Sequence, residues 1–362
     1  MSSVPPWPRA APYGPPVPAG HPQQPYAPWP PPAIAGPAGA RRRPRDWRTE
    51  LTLALLACAV LAFIAAMTVT VFVKGWPSFS HNGFFAWFGS GGDVDVQLRS
   101  IELGPTTPPY VYHLRAWPLL WDTILTTGLA LIAALVLSTL TAIFIVELAP
   151  TALRRILDPV VRLLAGVPSV IYGLIGILAI APWVERNFIS EQRKRSVAYV
   201  VQLTGENLSV AALILTVMIT PIMITIIARS LAAVPRSWIE GSEALGVNRW
   251  RTIWRVSVRT ARPAIVAATV LATARALGEA IMLSMVAGSR AFAANPLDGI
   301  TFLFEPVRPL AATIVANIDG ISDPPFGQTL YAMAAVLLFS SALLSLAGWA
   351  ARQPLKKYGV NI

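Results

Sequence analysis

Long apolar runs separated by short basic segments set the pattern of this chain. Six windows, at 51–73, 118–148, 163–183, 208–231, 263–288 and 330–350, stay largely apolar for about twenty residues or more. An α-helix rising ~1.5 Å per residue needs that length to cross the ~30 Å hydrocarbon core of a bilayer. The pattern predicts an all-α, polytopic membrane protein with six transmembrane helices. The polar segments predict its orientation. Arg41, Arg42, Arg43, Arg45 and Arg48 precede the first window, and Arg154, Arg155 and Arg162 lie around the second turn. Segment 229–262 holds seven arginines against Glu240 and Glu243, a net charge of +5. Arg352, Lys356 and Lys357 follow the last window. Positive loops stay in the cytoplasm, so both termini are expected inside. The loop at 184–207 runs against this trend with Arg193-Lys194-Arg195, but Glu185, Glu191 and Glu206 leave it, with Arg186, at only +1. The acidic loop 289–327 contains an apolar piece, 310–318, too short to span and expected to be re-entrant.

The windows divide the chain into parts. Residues 1–46 are a Pro-rich tail, in which proline disfavours helix and central strand, so a disordered cytoplasmic segment is expected. Residues 47–75 carry the first transmembrane helix. Residues 76–117 form an extracytoplasmic loop in which Trp76, Trp87 and Trp117 suit the membrane interface. Residues 118–352 are the membrane core, with a cytoplasmic loop at 234–259. Residues 353–362 are a cytoplasmic C-terminus.

Composition removes several function classes. Charged residues make up 13% of the 362 residues, against about 25% in soluble domains. The net charge of +11 sits in membrane-flanking loops rather than in stripes interleaved with aromatics, which argues against nucleic-acid binding. Cys58 is the single cysteine, so a disulfide framework is excluded within the chain. His21, His81 and His113 lack ligand spacing, and neither a metal nor a cofactor is expected. The Walker A pattern is absent, as is any Ser/His/Asp or paired-carboxylate constellation on a catalytic scaffold.

Two stretches stand out. In the loop at 234–259, Ser237-x-x-Glu240 reads as a capping box. Gly246 fits the position just past a helix end, and Asn248 caps a second helix over 249–258. In the fifth window, Arg275 and Glu279 are spaced i,i+4, and an ion pair between them is expected. Either charge at mid-bilayer costs about 2.5–3.5 kcal/mol, so the two should face protein or a wet cavity. Ala268, Ala272 and Met282 share that face and leave room for a pathway or for close packing. On these residues alone, a self-neutralising pair that pins helices and a pair that meets an anion stay equally open.

The run Glu240-Gly241-Ser242…Gly246 resembles the EAA loop of ABC-importer permeases. The stretches 147–173 and 234–288 are similar to the PstC branch, the phosphate-importer permeases; the whole resemblance covers about 117–352. It implies the type I ABC-importer permease fold. It also implies that the loop, through Ser237, Glu240, Gly241, Ser242 and Gly246, couples to a separate ATPase subunit, and that Arg275 and Glu279 serve phosphate passage. The implied partners are a PstA-like permease subunit, ATPase subunits, an extracytoplasmic phosphate-binding protein and phosphate, at a bacterial cell membrane. Three departures stand against the pattern: Gly241-Ser242 replaces Ala-Ala, Val258-Arg259 replaces Leu-Pro, and Ala280 replaces Thr. They leave a degenerate permease acting as a phosphate-sensing scaffold as an alternative. A guanidinium alone does not distinguish phosphate from sulfate or molybdate. A secondary transporter needing no ATPase would have no use for such a loop.

Overall fold

The computed structural model describes residues 47–105, 107–197, 202–290 and 293–353. The Pro-rich tail at 1–46 and the basic end at 354–362 lie outside the described residues. The chain divides between Ala59 and Val60 into two units. In the first, the described part is the opening of helix α1 (Trp47–Asn82), with side chains exposed from Arg48 to Ala59. From Leu51 on, this exposed surface is apolar but for Thr52, which suits lipid rather than water.

The second unit is built from helices joined by loops, with no strand among its described residues beyond one isolated bridge, Gly288 to Val307. After α1 come the short α2 (Phe84–Trp87) and α3 (Val94–Glu102), then α4 (Trp117–Ile143), which extends through a π-turn to Leu148. Next are α5 (Thr151–Ala165), α6 (Ser169–Ile175), α7 (Ala181–Phe188) and α8 (Glu191–Val197). The long α9 (Leu208–Ala232) is followed by α10 (Arg236–Ala244) and α11 (Arg249–Thr252). Then come α12 (Val258–Leu277), α13 (Ile281–Val286), α14 (Leu310–Ala316) and α15 (Phe326–Arg352).

Among the described residues, five helical runs are long and apolar enough to cross a membrane: Arg48–Asn82, Trp117–Leu148, Ser169–Phe188, Leu208–Ala232 and Phe326–Ala351. The expected fifth window, 263–288, does not join them. It is carried by α12, which begins at Val258 with Arg259 and Arg262, and it breaks at 278–280 before α13. Six spans are therefore not established; five helices qualify and one candidate is broken. The third window also shifts. Gly166-Val167-Pro168 ends α5, and the membrane-length run starts at Ser169.

Helix α9 is the most enclosed of the five runs. Its Leu215, Met218, Ile219, Met223 and Ile227 centre a core shared with α4, α6, α12 and α13. Asn207 caps it, accepting from the Val210 N–H at 3.1 Å. A second core lies over the far end of α1, where Phe79 meets Trp87, Val94, Leu98, Leu119, Phe326 and Leu330.

Two close approaches depend on glycine. A Cβ at Gly173 would meet Met285 Sδ at 2.8 Å, and one at Gly176 would meet Val286 Cγ1 at 2.6 Å. Small residues let helix backbones approach in membranes, and here they seat α13 against the Ser169–Phe188 run. The piece expected to be re-entrant is α14. Its Leu310, Ala311, Ala312 and Thr313 are buried. It is held from α4: Asp122 accepts from Arg308 N–H at 2.8 Å, and Thr123 Oγ1 accepts from Leu310 N–H at 2.8 Å. The Arg308 side chain pairs with Asp95 on α3.

Candidate functional site: a broken membrane helix and an exposed elbow

Helix α12 buries one face and leaves another open. Ala261, Ala268, Ala272 and Ala276 are buried on the face that packs against α9 and α15. Of the sequence alternatives for Ala268, Ala272 and Met282, close packing is what the structure realises. Leu271 and Arg275, one turn apart, are exposed. Arg275 is thus not sealed among neighbouring helices. It lies near enough to Tyr172 on α6 to act electrostatically on its phenol, and the Tyr172 hydroxyl donates to Leu164 O at 2.9 Å.

The expected Arg275–Glu279 ion pair does not form. The i,i+4 geometry needs a continuous helix, and α12 ends at Leu277 with Gly278 as its cap. Glu279 falls beyond that end and is 9% exposed. Its Oε1 accepts from the Met282 N–H at 3.2 Å, in the first turn of α13. A carboxylate there satisfies an orphan donor and suits the positive end of the helix. Substituting Glu279→Ala is therefore expected to lower the thermal midpoint of the purified subunit, with a cost of about 0.5–2 kcal/mol. Glu279→Gln, which keeps the acceptor, should cost less. Equal losses in the two would show that charge, not the cap, matters for the fold.

The elbow formed by α10 and α11 follows the sequence in its second half and departs from it in its first. Helix α10 starts at Arg236 with Pro235 before it, and that N-terminus has no side-chain cap. Ser237 is inside the helix and exposed, so the capping box does not form. The fixed φ of Pro235, −59°, already aims the chain into the helix. At the other end, Gly246 takes φ +77°. Its N–H donates to Glu243 O at 2.9 Å and the Val247 N–H to Ser242 O at 3.3 Å, the two bonds of a Schellman ending. Asn248 caps α11, accepting from the Arg251 N–H at 3.0 Å. The second elbow helix does not stop near Val258; a π-turn over Ile253–Ser257 carries it straight into α12.

The departures at Gly241 and Ser242 leave the elbow intact. A Cβ at Gly241 would meet nothing within 4 Å. Ser242 Oγ hydrogen-bonds Thr252 Oγ1 at 2.9 Å and ties α10 to α11. Gly241→Ala should therefore stabilise the subunit by roughly 0.5–1 kcal/mol through helix propensity. Gly246→Ala should destabilise it by about 1–2 kcal/mol through its positive φ. Thermal unfolding of the two purified variants checks both signs.

Helix α10 has no buried residue. Trp238 is 50% and Leu245 85% exposed, and Trp250 and Trp254 on the following turns are exposed as well. Arg249 donates to the Glu147 carbonyl at the end of the α4 run. A groove of about 520 Å³, lined by Glu147, Arg154, Arg236, Glu240, Glu243 and Arg249 among others, separates the elbow from the ends of α4 and α9. Sequence reasoning placed Glu240 and the glycines here. It missed Tyr172, whose phenol feels the charge of Arg275, because nothing local links positions a hundred residues apart.

Residues 135–353 match the family described as the binding-protein-dependent transport system inner membrane component. The chain belongs to that family. A Bacillus subtilis relative, the probable ABC transporter permease protein YqgH, is 34% identical over 294 residues, covering 80% of this chain and 86% of the relative. The Mycobacterium tuberculosis phosphate transport system permease protein PstC 1 is 32% identical over 254 residues, covering 67% of this chain and 73% of that protein. Among solved structures, a bacterial alginate ABC transporter chain aligns with a TM-score of 0.48 at 14% identity, over 86% of this chain and 97% of its own. As a member of the family, with several membrane-length helices, this protein is a multi-pass membrane component of a transport system.

Proposed function

We propose that this chain is the PstC-like permease subunit of an ATP-driven phosphate importer, and that Arg275 contacts the anion in transit. The observation that carries the reading is the exposed Arg275 on α12, a helix packed against the membrane-length α9 and α15, with no carboxylate in ion-pair range among the described residues. A charge left open there is costly unless water or an anion reaches it. Its planar fork matches the oxygens of a phosphate. The break at Gly278–Ala280 lies beside it, and irregular backbone at membrane depth is tolerated where it lines a cavity. The similarity to phosphate permeases of several bacteria supports the choice of anion.

On this reading the conduit forms between this subunit and a PstA-like partner, with both termini in the cytoplasm. The elbow, with Ser237, Glu240, Gly241, Ser242 and Gly246, seats in a cleft of a separate ATPase subunit, which hydrolyses the ATP. Its open apolar side chains, Trp238 and Leu245, support that role. An extracytoplasmic phosphate-binding protein delivers the substrate. Glu279 shapes the break beside Arg275 and sets a carboxyl group near the path, where it weakens anion binding enough for release; conduction needs sites that let go.

The test is uptake into proteoliposomes holding the full assembly, with binding protein outside and ATP within. Labelled phosphate should accumulate only with ATP, and excess sulfate or molybdate should not compete. Equal uptake of sulfate would overturn the choice of anion. Phosphate uptake driven by an ion gradient without ATP would overturn the importer reading.

A further inference from the structure

Helix α5 was expected to be an inside turn running into a span. It is instead an amphipathic helix with no buried residue. Ile156, Val160 and Leu163 form an exposed apolar stripe, with Ile156 62% and Leu163 73% exposed. Around the helix from that stripe, Arg154, Asp158 and Arg162 face a cavity of about 150 Å³ shared with Arg229 of α9. Its inner wall is apolar, built from Ile145 and Ile224 among others. Arg154 approaches Asp158 at 3.9 Å. Arg162 and Arg229 have no carboxylate partner among the described residues. Three guanidiniums against one carboxylate leave a net charge of +2 in a small pocket.

The depth of this pocket follows from the spans that frame it. Ile145 is three residues from the end of the Trp117–Leu148 run, and Arg229 three from the end of Leu208–Ala232. The pocket therefore lies at the membrane boundary, on the side marked cytoplasmic by its arginines. A helix lying in that plane buries its apolar face among acyl chains and keeps its basic face at headgroup level. Basic pockets between transmembrane helices on the cytoplasmic side are suited to anionic headgroups.

We propose that this pocket binds the phosphate of an anionic phospholipid, with Arg162 and Arg229 as its direct contacts and the acyl chains against the pocket's apolar wall and the neighbouring Leu164. Arg154, partly engaged by Asp158, sets the back of the site. The occupant is a lipid rather than free phosphate because the pocket wall is itself apolar: Val161 of α5 lines it with Ile145 and Ile224, and Leu164, one turn on from Val161, is exposed. Bound lipid would brace α5 against α9, directly next to the elbow groove, which Arg154 also lines.

The test is native mass spectrometry of the full chain in mild detergent, titrated with phosphatidylglycerol, phosphatidylcholine or inorganic phosphate. Wild type should retain one phosphatidylglycerol in preference to phosphatidylcholine, and inorganic phosphate alone should not displace it. The double variant Arg162→Gln/Arg229→Gln should bind phosphatidylglycerol about 30-fold more weakly, since each basic residue near an anionic surface contributes about fivefold. Arg155→Gln, on the same helix but outside the pocket, should bind as wild type. If the double variant does not fold, Arg229→Gln alone is read against Arg155→Gln in the same way. Equal retention of phosphatidylcholine, an equal loss in Arg155→Gln, or displacement by inorganic phosphate would each overturn the assignment.

Discussion

Arg275→Ala should lower ATP-driven phosphate uptake by roughly 10- to 150-fold, the range for losing a hydrogen bond to a charged group. The subunit should remain folded and assembled. Arg275 is exposed and makes no ion pair among the described residues, so truncating it leaves no buried carboxylate stranded. Arg275→Lys should fall between wild type and Ala, because an ammonium keeps the charge but loses the bidentate fork. Uptake is the readout, with thermal midpoint and co-purification of partners as controls. A purely structural arginine would show the reverse: a lowered midpoint, and Lys as poor as Ala.

The second large effect concerns the elbow. Trp238→Ala/Leu245→Ala should leave the isolated subunit as stable as wild type, since both side chains are open and α10 buries nothing. On the proposed reading these residues are the anchors the elbow offers the ATPase subunit. Interface hot spots are worth 2 kcal/mol or more, so ATPase binding should weaken by about 30-fold or more, and uptake should be lost with it. Pull-down of the ATPase subunit at graded concentrations measures the first, and proteoliposome uptake the second. An unchanged association would place the docking surface elsewhere. The neighbouring Ser242–Thr252 bond holds α10 to α11, so Ser242→Val should show a milder form of the same phenotype.

Much of this was legible in the chain, for reasons that differ by segment. Helices α4, α9 and α15 were recovered within a few residues, because continuous apolar runs leave few alternatives. Gly246 and Asn248 were readable because helix endings have local chemistry, a positive φ and a short acceptor. Helix α5 was missed for the opposite reason. Its apolar residues recur every three or four positions among arginines, and Leu163 and Leu164 were absorbed into the next window although Gly166–Pro168 separates them from it.

The capping box failed because Pro235 starts α10 before Ser237 can cap it. The ion pair failed because the spacing rule assumes a helix that Gly278 ends. The seat of α14 on Asp122 and Thr123 joins residues about two hundred positions apart; the pattern showed a short apolar piece but nothing of what holds it.

The central claim is that the Arg275 position faces a wet conduit in the assembled transporter. Cys58 is the only cysteine, so a Cys58→Ser background carrying Arg275→Cys has a single thiol. In the full assembly, that thiol should react with a charged, membrane-impermeant methanethiosulfonate, faster when ATP turnover opens the path. Reaction only with a lipid-soluble maleimide, or with neither reagent, would contradict the account.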